Sequence, residues 1–344
     1  MEAALLAPSG DNCQPWKVIM REQQLTLLNV PERDTSLYNF GQRTSLIAHG
    51  AFLENAMIAS SALGYSANLE PFPDESNPNL VARVSFERSE KSDVSLYPYI
   101  PLRTTNRKPY NSKPLTVDQE AALEDTTSFF GFGGVKLLKG DGKKDVARII
   151  GLNDRLVFEI SQLHSFLFNH IRWTEEEAQR TGNGLYVGTL EISPFQRPGL
   201  RLLGRWPIAR ALNSIGISRI IGEKAKRLAL SASAIGIVTM PGDKKIDFLN
   251  GGRIVQRVWL ESTKMGLSFQ PMTGLVYLMQ RVSAGDSEGL SESHIGMIRN
   301  AEQGLRTAYA LNKETIIMLF RVGYCAPPMA RSLRLPMENI VQEV

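Results

Sequence analysis

Two stretches of the chain predict buried helices, the first of them apolar on nearly every side. Ser45–Leu63 and Asn250–Met265 are dense in Leu, Ile, Val, Ala and Phe or Trp, and each stops at a glycine, Gly64 or Gly266. Glycine just past a helix closes it in the left-handed conformation. A helix apolar all round is buried all round. Alternating or β-rich runs predict strands over Trp16–Met20 and Gln24–Val30, joined by the polar turn Arg21–Gln23, and over Asn79–Phe86, Gly134–Leu138, Ser231–Met240 and Thr315–Gly323. Further helices are expected over Thr116–Thr126, through most of Asp145–Trp173 and within Gly289–Leu311. Gly182–Arg210 reads as irregular, because Gly, Pro and Arg are scattered through it. A Pro-rich connector, LYPYIPLRTTNRKPYNSKPL, separates two sets of elements.

The two apolar helices resemble each other. GAFLENAMIASSALGY begins at Gly50 and GRIVQRVWLESTKMGL at Gly252, with Gly64 and Gly266 at the same later position. A strand and then a Pro- and Arg-bearing arm follow each. This is a weak but ordered internal duplication; glycine-capped helices are common enough that the repeat alone does not establish it.

With 344 residues, 43% hydrophobic and 22% charged, the chain has room for one large domain or two modest ones. Its two cysteines, Cys13 and Cys325, make neither a disulfide framework nor a zinc pattern, so a reducing cytoplasm is the expected location. A net charge of +4 suits anionic small ligands and is too dispersed for nucleic acid. MEAALLAPSG has no basic, apolar leader, and no run of about eighteen apolar residues predicts a membrane span.

The catalytic inventory is thin. None of the four histidines sits in a metal-spaced pair; His49 reads as a core residue, and His164 and His170 do not share a helical face. There is no nucleophile elbow, no phosphate-binding Walker loop and no dinucleotide fingerprint. FFGFGG at Phe129–Gly134 precedes a strand rather than following one, so it is a poor phosphate loop. No metal and no particular catalytic side chain is expected; a cofactor would carry the chemistry. Three clusters remain. The loop APSGDNCQPW, Ala7–Trp16, offers Ser9, Asn12 and backbone amides to a polar planar group. In LRTTNRKPY, Arg103, Thr105 and Arg107 alternate, so an extended backbone puts two guanidiniums and a hydroxyl on one side, as a phosphate grip does. A solvated basic linker would read the same way. The tail MARSLRLPMENI carries Arg331 and Arg334.

Together these clusters resemble the FMN-dependent nitroreductase superfamily. APSGDNCQPW is similar to its PSxxNxQPW loop, RTTNRKPY to its arginine segment, GLSFQPMTG (Gly266–Gly274) to the stretch after its central helix, and RLPMENIV to its closing arm. No match falls between Asp141 and Ala229. The order of the motifs is that of a duplicated, Acg-like chain: the loop comes first, the arginine segment later, and TSFFGFGGVKLL stands where a second loop would be. The resemblance implies an α+β nitroreductase-like fold of two degenerate halves, 1–100 and 101–344, fused as a pseudo-dimer with mixed, largely antiparallel sheets, and with 182–227 as a lid or insertion. It implies one FMN, with Ser9, Gly10 and Asn12 reaching it from the first half. Arg103, Thr105 and Arg334 would hold the phosphate, with Arg331 as the substitute for Arg334. Arg107 would face the pyrimidine edge, Pro271 and Met272 would cover a ring face, and the amides of Thr273 or Gly274 would face N5. The implied activity is reduction of a nitroaromatic, quinone or similar small-molecule acceptor by NAD(P)H, or else FMN sequestration or sensing without turnover. A monomer is the default and a homodimer stays open, as does a longer chain fused to an E1-like adenylating domain. No nucleic-acid or membrane partner is implied.

Overall fold

The computed structural model describes residues 1–344. A short helix α1 (Glu2–Leu5) leads into the opening loop. Then come β1 (Trp16–Arg21), β2 (Gln24–Asn29), the long helix α2 (Arg43–Ala62), β3 (Tyr65–Pro71) and β4 (Leu80–Arg88). After the Pro-rich connector follow α3 (Val117–Glu124), β5 (Gly134–Leu138), α4 (Lys143–Glu159) and α5 (Ser161–His170). Next are β6 (Ile171–Arg172), α6 (Glu175–Thr181), β7 (Leu185–Tyr186), α7 (Arg197–Leu203), α8 (Trp206–Asn213) and α9 (Ile217–Leu230). The chain ends through β8 (Ala234–Met240), a second long helix α10 (Lys245–Lys264), β9 (Ser268–Pro271), α11 (Gly274–Ser283), α12 (Glu292–Ala308), β10 (Thr315–Gly323) and β11 (Val341–Glu343).

The duplication is written in the strand order. One sheet runs β1-β2-β4-β3 and the other β5-β8-β10-β9, and every one of these pairings is antiparallel. Each long helix sits between the second and third strands of its set. The halves differ by what is inserted: α4–α9 between β5 and β8, and α11–α12 between β9 and β10, where the first half has a tight turn at Glu22–Gln23 and the loop 72–79. β11, from the very end of the chain, pairs in parallel with β1 and so ties the second half's tail to the first half's sheet. The architecture is α+β, as expected.

The two long helices cross at the glycines of the sequence repeat. A Cβ on Gly50 would run into the backbone carbonyl of Leu249, and one on Gly252 into that of Ile47. Pairing Gly50 with Gly252 also pairs Ile47 with Leu249, so the two contacts are mates under one pseudo-twofold. The same relation holds further along: Gln256 Nε2 donates to Asn55 Oδ1 at 2.6 Å, where the mate contact joins Arg257 to Glu54 at 2.8 Å. Ile58 and Leu260, also mates, share one apolar cluster. Gly64 and Gly266 close their helices at φ +79° and +70°.

Of Gly182–Arg210, residues 182–196 are largely irregular as expected, but from Arg197 the chain is helical. Pro198 and Pro207 stand in the first turns of α7 and α8, where proline's fixed φ favours a helix start. α9 then packs along α4 so closely that a Cβ on Gly222 would lie 2.7 Å from the Gly151 carbonyl oxygen.

His49 lies wholly inside, with its ring nitrogens against the carbonyl oxygens of Ser45 and, at 3.0 Å, Pro15. Burial pulls its pKa down from 6.5 to about 4. The folded state therefore binds fewer protons than the unfolded one between those values, and stability falls as pH drops from about 6.5 toward 4. Chemical denaturation at pH 7 and pH 5 is expected to show a loss of about 2 kcal/mol that His49→Gln removes. The carboxylates contribute equally to both proteins, so an identical loss in the variant would refute the assignment.

Candidate functional site

The opening loop is held in a conformation it would not adopt alone. Asp11, Asn12 and Gln14 all have left-handed φ, at +43°, +58° and +50°. Each such non-glycine residue costs about 1 kcal/mol or more, so the surroundings must over-determine it. They do. Trp16 is fully buried against Phe52 and His49. Gln14 N donates to Ser9 Oγ (2.9 Å), Gln14 Nε2 to the Gly182 carbonyl (2.9 Å), and Leu335 N to Gln14 Oε1 (2.9 Å). Asn12 Nδ2 donates to the Leu333 carbonyl and Asn12 Oδ1 accepts from Arg334, both at 3.0 Å. The loop is thus clamped between the tail and Gly182. Ser9 and Asn12 bond to the chain itself, and Gly10 lies against the Asp34 carboxylate.

Arg103, Arg331 and Arg334 converge beside this loop. Arg334 donates to the carbonyls of Leu5 (3.1 Å), Leu6 (3.1 Å) and Ala7 (3.2 Å). Arg103 Nη2 donates to Leu6 O (3.0 Å), and its guanidinium lies 4.4 Å from the Trp259 ring centroid. Arg331 donates to the Arg103 carbonyl at 2.9 Å. Burial, then Arg334 and Arg331, push the Arg103 pKa well below the usual guanidinium value; burial and Arg331 bring that of Arg334 down to about 10. No carboxylate acts on either group, and Arg103 Nε is buried without any acceptor. Three crowded cations with an orphaned donor and no counter-charge call for an anion.

A second group of residues lies along the same segment. Thr105 makes a parallel bridge to Phe269, and Asn106 N donates to the Phe269 carbonyl at 3.0 Å. Arg107 Nη1 donates to Thr189 O at 3.0 Å. The buried Arg321 fixes this geometry: its donors reach Gln270 Oε1 (2.7 Å) and the carbonyls of Asn106 (3.3 Å) and Lys108 (2.7 Å), on either side of Arg107. Past Gln270, the Met272 amide is committed to Leu319 O (2.7 Å), whereas Thr273 and Gly274 begin α11. The first amides of a helix have no partner within it. A Cβ on Gly274 would collide with the side chain of Asn153. Asn153 Oδ1 in turn accepts from Tyr38 OH at 3.2 Å.

The structure therefore brings Thr105, Arg107 and Pro271–Gly274 to one half-buried wall, and the arginine trio with Asn12 to an adjoining corner. Asp11 faces the wall, among Asp34, His170 and Arg107, and burial followed by Asp34 raises its pKa. Asp11, Tyr38, Asn153 and Asp34 are site residues that the sequence reading passed over. Asp11 stands at a variable position of the opening-loop motif, and Tyr38, Asn153 and Asp34 lie outside every motif. Residues 182–191 lie over this wall, through Gly182 and Thr189 and through Glu191, whose Oε1 accepts from Met329 N at 2.7 Å. Residues 197–227 do not: α7–α9 pack instead against α4 and α5, with Asn213 bonded to the Phe158 carbonyl and His164 Nε2 2.8 Å from Leu203 O. No helix is long and apolar enough to cross a membrane, and no group of three acidic, His or Cys side chains is placed to hold a metal ion.

No family model matches the chain. An uncharacterized protein of Mycobacterium tuberculosis, MT1398, is 29% identical over 97% of this chain, which spans only 46% of that relative's length. A second M. tuberculosis protein, named "Putative NAD(P)H nitroreductase acg", is 24% identical over 81% of this chain and 80% of its own. The solved FMN-dependent nitroreductase NfnB from Mycobacterium smegmatis overlays 72% of this chain and 97% of its own, at 13% identity and a TM-score of 0.41.

Proposed function

We infer that this chain, a member of the nitroreductase superfamily of the Acg-like type, binds one FMN in the cleft between the arginine corner and the start of α11. The observation that carries this reading is the trio Arg103, Arg331 and Arg334, buried or crowded together without a carboxylate. A phosphate supplies the missing charge and an acceptor for Arg103 Nε. Arg107 would place a cation at the pyrimidine edge. The amides of Thr273 and Gly274, at a helix start, would donate to N5. When bound, the flavin supplies hydride exchange between NAD(P)H and a conjugated small-molecule acceptor, a nitroaromatic or a quinone. The chain's own work is binding, orientation and exclusion of water. The fused halves build the site within one chain, so a monomer suffices.

Acid release of the chromophore from purified protein tests this first, with one FMN per chain expected. Anaerobic NADH or NADPH should then bleach the bound flavin at about 450 nm. A protein that is colourless and refuses added FMN would refute the reading.

The second reading, FMN sequestration, is favoured by one feature: residues 182–191 are bonded down over the cleft by Gln14, Arg107 and Met329. Glu191→Ala removes a charged acceptor from that closure. It is expected to raise the bleaching rate by roughly ten-fold if the segment limits access. An unchanged rate would show that this segment does not occlude the flavin.

A further inference from the structure

The pseudo-twofold relates two faces of the molecule, only one of which is filled. Pairing Gly50 with Gly252 carries Met57 onto Trp259, Ser66 onto Ser268 and Ala67 onto Phe269. On the second-half face the chain itself covers these residues. Arg103 lies over Trp259, Asn106 Nδ2 donates to Ser268 Oγ at 3.0 Å, and Asn106 N donates to Phe269 O at 3.0 Å. On the first-half face no segment does so, and a cavity of about 340 Å³ lies over Met57, Ser66 and Ala67. Phe129 walls its other side. That residue belongs to FFGFGG, the stretch that precedes β5 as the opening loop precedes β1.

The cavity has a charged floor. Arg253 and Arg257 of α10 line it, each 12% exposed at the side chain, and both pair with the single carboxylate of Glu54, at 3.1 and 2.8 Å. Arg253 makes one hydrogen bond, from Nε, so both of its terminal nitrogens are left without a protein acceptor. Arg257 lies flat on Phe129, 3.5 Å from the ring centroid, which fixes the direction of its fork. Two guanidiniums on one carboxylate leave the fork of Arg253 without a counter-charge of its own; at the rim Asp93 acts on Arg257 and Lys264, and Lys91 adds a further cation. Met57, Ile58 and Leu96 supply an apolar wall. The volume lies within the range of small-molecule sites, which are mostly apolar with a few convergent polar groups.

We propose that this cavity is a second ligand site, distinct from the cofactor cleft, for a small aromatic carboxylate. The carboxylate meets the free fork of Arg253, which matches it with two donors. The ring lies between Phe129 and the wall of α2. A flavin does not suit the site. β3 and β4 are joined by the loop 72–79 with no helix in it, so the free helix-start amides that follow β9 have no counterpart here. This inference rests on the fold and the cavity alone and stands whether or not the cofactor reading holds.

The test is equilibrium binding of 2-naphthoate to the whole protein, followed by its fluorescence, with 2-naphthamide and inorganic phosphate as comparison probes. Saturable one-site binding is expected, roughly ten-fold or more tighter than that of 2-naphthamide, and unaffected by saturating FMN. Ser66→Trp, on the exposed edge strand, should weaken it by filling the mouth. Arg253→Gln should weaken it by removing the fork, and it strands no charge because Glu54 stays paired one-to-one with Arg257. Thermal unfolding of both variants confirms that they fold. Absence of saturable binding at about 1 mM probe, competition by FMN, equal affinity for 2-naphthamide or for phosphate, or indifference to Ser66→Trp in a folded protein would each overturn the assignment.

Discussion

Gly50→Leu destabilises the chain by about 4 kcal/mol or more, measured by chemical denaturation, or stops it from folding. The reason is local and geometric. α2 and α10 touch backbone to backbone where they cross, and a Cβ at either glycine meets a carbonyl oxygen of the opposing helix. A carbonyl cannot swing aside as a side-chain end does, so the helices must separate along their length. Everything packed around them loosens, including Phe52, Leu53, Val255 and Trp259. Gly50→Ala is the sharper test of sign. At an exposed helical position that change stabilises by up to about 1 kcal/mol through helix propensity. Here it must destabilise, and Gly252→Ala must do the same by a similar amount because the contacts are mates. A neutral or stabilising alanine at either position would mean that the helices do not cross at these glycines.

The same crossing explains what could be read from the chain beforehand. α2 was legible because burial on nearly all sides demands apolar residues all round, α10 because Ile254, Val255, Val258 and Trp259 recur at helical spacing, and each left-handed closure demands a glycine. β1, β2, β4, β5, β8 and β10 were legible because a covered strand needs apolar positions in register. β3 was not: YSANLEP alternates apolar and polar positions, but it is built largely from weak strand formers such as Ala, Asn and Glu and lies at the exposed edge of its sheet. β9 has four residues, Ser268–Pro271, and is held by pairing with β10 rather than by its own propensity. α7 and α8 were missed because proline was read as a breaker, although at a first turn it starts a helix. In the site, the arginines were legible because a cation cluster is a chemical statement in itself. Asp11, Tyr38 and Asn153 come from the opening loop, the approach to α2 and the inserted α4, and only packing brings them together. No local pattern could announce that.

Arg103→Met is expected to weaken FMN binding by roughly 100-fold, about 2.7 kcal/mol, while leaving the stability of the FMN-free protein nearly unchanged. The two halves of this prediction have opposite causes. Toward a phosphate, Arg103 offers a charged donor with an unused Nε in a site sheltered from water, where charge-assisted bonds are strongest. Without an anion, its charge faces Arg334 and Arg331 with nothing to offset it. Methionine gives up the bond to Leu6 O and the cation's attraction to Trp259, but it relieves that repulsion and still fills the space over the indole. Arg103→Lys should fall between, since it keeps the charge and loses the planar fork. FMN titration followed by flavin fluorescence, together with denaturation of the FMN-free proteins, reads both halves. A large loss of stability with unchanged FMN affinity would make the trio a tether for the Leu5–Ala7 carbonyls and nothing more. A loss of affinity at constant stability is the signature of a site built for an anion, because a structural arginine cannot be removed without cost to the fold it supports.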